Sequence, residues 1–119
     1  MKISEYVGGN LVILEPHGRL TMETIQFFRR AIARRLEQSW SGIIIDLQNI
    51  DYIDSAGLGC LAAAYTSCRR RGIRLVLVRV AGRNRELLRV TRLLTVFDVY
   101  ETTLEAERSF ARPPEATVM

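Results

Sequence analysis

The chain has 119 residues, 48% hydrophobic and 25% charged, with a formal net charge of +4 and a pI near 9.6. That length and apolar content suit one self-sufficient globular domain, which excludes disordered and fibrous chains and small folds that need a metal or disulfide. Charged residues interrupt each apolar run well short of the roughly 18 residues a membrane helix needs, and an acid and a glycine pair replace the apolar stretch of a secretory signal, so a cytoplasmic protein without a membrane partner is expected.

Ile3–Val7 and Leu11–Glu15 are short apolar stretches around Gly8, Gly9 and Asn10, which favour a tight turn, and they predict an antiparallel hairpin. Pro16-His17-Gly18 then reads as a connection. Ile25, Phe28, Ile32 and Leu36 recur at helical spacing to about Gln38, with Thr21 placed to cap the start. After the break at Ser41-Gly42, Ile43-Ile44-Ile45-Asp46-Leu47 is apolar on both faces, the pattern of a central parallel strand covered by helices. Residues 48–57 read as a loop. Leu58, Leu61, Ala62 and Tyr65 form the stripe of a second helix, which three arginines and Gly72 bring to an end. Leu75–Val78 is a further strand, Gly82 opens a helix carrying Leu87, Leu88 and Leu94, and Val96–Tyr100 reads as a short strand. Thr102 and Glu105 have capping-box spacing for a last helix to about Phe110. The expected class is α/β: a β-hairpin, then alternating helices and strands, with helices packed on a mixed, mostly parallel sheet. One domain over residues 1–112 is expected, with 113–119, beginning at Pro113-Pro114, as a disordered tail.

Cys60 and Cys68 fall on one predicted helix about 12 Å apart along its axis. A disulfide requires Cα atoms within about 7 Å, so both are expected to pack in the core as free thiols. His17 is the only histidine, and neither thiol has a second Cys or His at ligand spacing, so no metal and no cofactor is expected. The positive charge raises nucleic acid as a partner. The arginines are spread over three predicted helices without interleaved aromatics, however, which fits solvated faces better than a base-stacking platform.

The stretch Tyr52-Ile53-Asp54-Ser55-Ala56-Gly57-Leu58-Gly59 passes from a strand side to a helix start, where sites gather in open α/β sheets. Gly57 and Gly59 each cost about 1 kcal/mol of helix propensity relative to alanine. Either a close approach by another backbone or ligand selects them, or they extend the small face of Ala62-Ala63-Ala64. Ser55 is equally open to two readings, a routine N-cap or a residue that carries chemistry. As a hydrolase nucleophile it lacks a glycine two residues earlier, since position 53 is Ile, and His17 would have to act alone. A phosphate-binding P-loop is absent, because no lysine follows Lys2. A phosphoacceptor role for Asp54 in a receiver domain would need acidic and lysine partners that Glu15-Pro16 and Arg79-Val80 do not supply.

Ile53–Gly59, preceded by the Ile43–Leu47 strand and by Gly18-Arg19-Leu20, resembles the STAS domain, the family of sulfate transporters and anti-sigma factor antagonists. The similarity runs from about Leu11 to Phe110 and includes Leu93–Phe97. It implies a STAS-type fold and, for a bacterial domain of this size, an anti-sigma factor antagonist that is not an enzyme. In such proteins the serine after the aspartate of D-S-x-G-L-G is phosphorylated, which assigns phosphorylation to Ser55. The resemblance places partner contacts at Thr21, Asp54, Ala56, Gly57 and Leu58. It further implies binding to an anti-sigma factor serine kinase when unphosphorylated, release on phosphorylation, and reversal by a PP2C-type phosphatase, with the chain a monomer or weak dimer between partners. Many members carry aspartate where this chain has Thr21. The alternative is a non-switching STAS subunit of a signalling assembly or lipid-transport complex.

Overall fold

A computed structural model describes residues 1–111. Strands β1 (Lys2–Gly8) and β2 (Leu11–Leu20) pair antiparallel from Lys2 opposite His17 to Gly8 opposite Leu11, and Gly9 takes a positive φ of 59° in their turn. The expected hairpin is present, but β2 continues five residues beyond Glu15. It passes through Pro16 and bends at Gly18, whose φ of 106° accompanies a register shift between Gly18 and Arg19. Glycine permits this backbone at little steric cost. The bend carries Arg19 and Leu20 away from the first part of the strand.

The order along the main sheet is β1-β2-β3-β5-β6, where β3 is Gly42–Asp46, β5 is Arg74–Val78 and β6 is Asp98–Tyr100. All pairings after the hairpin are parallel, so the mixed, mostly parallel sheet is as expected. Strand β4, Ile50–Ile53, lies off this path and pairs in parallel with the far end of β2 at Gly18–Leu20. This corrects the reading of residues 48–57 as loop. Four residues carrying Asp51 show no clear alternation, and β4 has a partner only because β2 runs past its glycine bend.

Helices α1 (Ile25–Leu36) and α2 (Ser55–Arg70) cover one face of the sheet, together with α3 (Gly82–Val90). Ile43 and Ile45 of β3 and Leu75 and Leu77 of β5 point into that main core, with Phe28, Leu61 and Leu88 from the helices. Their neighbours Ile44, Val76 and Val78 form a second cluster with Ala106 of α4 (Thr103–Ala111) on the opposite face. The unbroken apolar runs of β3 and β5 follow from this two-sided burial, because successive side chains alternate across a strand. Gly42 lies under Phe110: a Cβ there would come within 2.1 Å of the ring.

Two further expectations need correction. α3 ends at Val90, and Arg92 takes a left-handed φ of 63°, so Leu94 falls in a short 3₁₀ turn at Leu93–Thr95 and the last strand begins at Asp98 rather than Val96. Thr21 does not cap α1. The helix starts four residues later, and Thr24, at the cap position, uses its hydroxyl to donate to the Arg19 carbonyl at 2.6 Å. Half of the capping box forms: Thr102 Oγ1 accepts from the Glu105 amide at 3.1 Å, while the Glu105 carboxylate accepts from the Thr102 hydroxyl at 3.3 Å rather than from its amide. Both cysteines are free and buried. The tail expected at 113–119, and the last residue of the expected domain, lie outside the described residues.

Candidate functional site around Ser55

β4 delivers the chain to the start of α2 at the point where β2 ends. Asp54, in extended backbone with φ −96° and ψ −176°, is the N-cap of α2. Its Oδ1 accepts from the Gly57 amide at 2.8 Å and its Oδ2 accepts from the Met22 amide at 3.0 Å. One carboxylate therefore closes the helix start and ties it to the loop after β2. These amides, Gly57 foremost, hold the Asp54 carboxyl below its usual value, so it is ionised at neutral pH.

Ser55 is the first helical residue and not the cap, which corrects the capping alternative left open by the sequence. Its side chain is exposed. The hydroxyl is accessible and carries no part of the capping that an N-cap serine performs.

The two glycines part company in the structure. A Cβ on Gly57 would sit 2.1 Å from the carbonyl oxygen of Leu20 and 3.1 Å from Ile53 Cγ2, so the residue is small because α2 presses on the backbone of β2. A Cβ on Gly59 would meet nothing within 4 Å. Of the two explanations for this pair, close approach of another backbone accounts for Gly57. Internal packing accounts for nothing at Gly59, which lies exposed on the outer side of the helix.

The remaining expected contacts differ in exposure. Ala56 and Leu58 are half-buried, and Leu58 packs on the main core. Gly57 is buried, and Thr21 is only 5% exposed. The Thr21 hydroxyl donates to Glu23 Oε2 at 3.1 Å, and its amide donates to Thr24 Oγ1 at 3.0 Å. Thr21 thus shapes the loop from beneath, and the acid of this loop is Glu23. Met22, which the sequence reading passed over, is 74% exposed above the Asp54 carboxylate that holds its amide. A lone apolar residue in a loop gives no sequence signal of such a position.

Sequence reading also missed a stack beside the serine. The guanidinium carbon of Arg83, in the first turn of α3, lies 4.0 Å from the centroid of the Tyr52 ring, and that of Arg19 lies 4.8 Å from the same centroid. Arg83 Nη1 also donates to the Ile53 carbonyl at 3.3 Å.

Ser55 sits on exposed surface. A cleft of about 600 Å³, lined by Gln48, Arg79, Arg85 and Tyr100 among others, does not include it. No group of three His, Cys, Asp or Glu side chains among the described residues is placed to hold a metal ion. No helix among them is long and apolar enough to cross a membrane.

A mixed sheet with a glycine-bent second strand carries a serine at the first position of a small-residue helix and a capping aspartate before it, the arrangement of a STAS-type fold. The STAS domain family profile matches residues 2–106, and the chain belongs to that family. A Thermotoga maritima chain assigned as an anti-sigma factor antagonist superposes with a TM-score of 0.85 at 24% identity, covering 92% of this chain and 95% of that one. The Bacillus cell-fate determinant SpoIIAA in its phosphorylated form gives 0.70 at 15% identity, with 91% and 99% covered. A sulfate transporter family protein of Wolinella succinogenes gives 0.78 at 19% identity, with 89% and 88% covered. These likenesses establish the fold. No curated protein sequence matches.

Proposed function

We propose that this chain is a cytoplasmic anti-sigma factor antagonist that works by partner switching, with Ser55 as its phosphorylation site. The observation that carries this reading is the exposed Ser55, released from helix capping by Asp54, whose carboxylate also holds the amide of exposed Met22. The unphosphorylated chain binds an anti-sigma factor that is itself a serine kinase. The kinase transfers the terminal phosphoryl group of ATP to the serine oxygen, which gives up its proton, and a PP2C-type phosphatase hydrolyses the ester. Ser55 acts as the acceptor in this exchange, and the chain supplies no catalytic group.

Phosphorylation adds about −1.5 to −2 charge at pH 7. The core does not feel it, because the group projects outward. A docked partner covering Met22 and Leu58 would have to strip water from the dianion, and uncompensated burial of charge costs several kcal/mol. A loss of about 4 kcal/mol is roughly a thousandfold in affinity. One modification can therefore exchange partners without refolding the domain.

The test is calorimetric titration of the cognate anti-sigma kinase with Ser55→Ala and Ser55→Glu proteins, beside mass spectrometry of the parent after incubation with kinase and ATP. Ser55→Ala keeps the parent affinity, Ser55→Glu weakens it at least about tenfold, a loss of some 1.4 kcal/mol, and phosphate appears on Ser55. Equal affinities for the two variants, or phosphate on another residue, overturn the proposal.

A further inference from the structure

A phosphate on Ser55 would be solvated at the surface, and the start of α2 offers it little further stabilisation. The anion-binding amides that a helix N-terminus usually presents are already engaged by Asp54, whose carboxylate takes the Gly57 amide at 2.8 Å and draws on Ala56 as well. Asp54 also stands as a like charge next to the modification. A cation that favours the modified state therefore comes from a side chain on a neighbouring element.

Two arginines flank the residues just before the serine. Arg19 from β2 and Arg83 from α3 lie over the Tyr52 ring. Neither has an ion-pair partner among the described residues. Arg83 is held more closely to the phosphoacceptor segment, because it also donates to the carbonyl of Ile53. Ser55 follows that carbonyl by two residues, a span of at most about 7 Å of chain. A guanidinium carries five N–H donors, so one bond to Ile53 leaves its remaining donors for a phosphate, and its planar fork matches phosphate oxygens in pairs. Asp51 lines the same hollow of about 320 Å³ as Arg83 but forms no ion pair with it within 4.0 Å.

We propose that Arg83 is the in-cis phosphate clamp of this domain: once Ser55 is phosphorylated, its guanidinium, steadied on Tyr52 and Ile53, pairs with the phosphoryl oxygens. This rests on the reading of Ser55 as the modified residue and specifies what that reading leaves open, namely how the free phosphoprotein accommodates the dianion beside Asp54. It also sharpens the switch. A phosphate paired with Arg83 in the free domain forfeits that pairing when a partner covers the surface, so Arg83 favours the released state. Arg19, 4.8 Å from the same ring centroid, orients Tyr52.

The experiment installs phosphoserine at position 55 during translation, so it needs no kinase, and follows its second ionisation by ³¹P NMR in the parent, Arg83→Ala, Arg83→Lys and Arg19→Ala proteins. The adjacent guanidinium favours the dianion and the Asp54 carboxylate opposes it, so the reading is the shift of each variant from the parent midpoint. Arg83→Ala raises the midpoint by about 0.5–1 unit, Arg83→Lys stays closer to the parent than Arg83→Ala does, and Arg19→Ala moves it less than Arg83→Ala. An unchanged midpoint in Arg83→Ala, or a larger shift in Arg19→Ala, overturns the assignment. Failure of the kinase to modify Ser55 would instead defeat the partner-switching reading and leave this measurement intact.

Discussion

Gly57 offers a quantitative check on how α2 is seated. Alanine there would place its methyl carbon 2.1 Å from the Leu20 carbonyl oxygen, which belongs to the backbone and cannot rotate aside. To reach an ordinary contact of 3.4 Å the helix start has to retreat from β2 by about 1.3 Å, a distortion of the overpacking kind that costs about 1–3 kcal/mol. The better helix propensity of alanine offsets about 1 kcal/mol, leaving a net loss of up to about 2 kcal/mol. At about 4 °C per kcal/mol for a chain of this size, the melting midpoint falls by up to about 8 °C. Gly59→Ala is the control, since it brings the same propensity gain to an exposed site with nothing within 4 Å, and it raises stability by about 0.5–1 kcal/mol. Thermal unfolding of both variants by far-ultraviolet circular dichroism decides the matter. A Gly57→Ala protein that melts at or above the Gly59→Ala protein refutes the argument that Leu20 dictates the glycine.

Asp54→Ala lowers the melting midpoint at pH 6 by removing the cap and the tie to Met22 together. The Asp54 carboxyl titrates lower in the folded than in the unfolded chain, so its contribution is present above the usual value of 3.8 and disappears as the pH falls through the folded value. Melts of parent and variant therefore converge as the pH falls through the folded value, and a constant gap between them would contradict this. Burial pushes the Cys68 thiol up to about 11 and raises that of Cys60 as well. A thiol reagent at pH 8 should find both cysteines inert in the native protein and reactive after denaturation in guanidinium, and rapid native labelling of either would place that thiol outside the core.

Elements with a strong local pattern were legible in the sequence. The hairpin, the two-sided strands β3 and β5 and the helical stripe of Leu58, Leu61 and Tyr65 report burial in their own spacing. What escaped depends on contacts distant along the chain. β4 is four residues whose only strand partner is the extension of β2 past Gly18, and nothing local to Pro16-His17-Gly18 announces that a strand continues through it. The cap of α2 fell one residue earlier than a serine-centred reading allows, because Asp54 can satisfy both Gly57 and Met22, the latter 32 positions away. Arg83 and Tyr52 are 31 positions apart and meet only because β4 and α3 are neighbours. The glycine pair was recognised as unusual, yet its two members have different reasons that only the Leu20 carbonyl separates.

The adjacent pair Asp54 and Ser55 divides two duties that a single capping serine would have to combine. With anchorage assigned to the carboxylate, the hydroxyl next to it can be esterified, deleted or replaced by an acid while the helix keeps its first turn. Variants at position 55 are therefore free of contamination from folding defects. A chain built this way can carry an inert or an acidic residue there by one codon change and still fold normally.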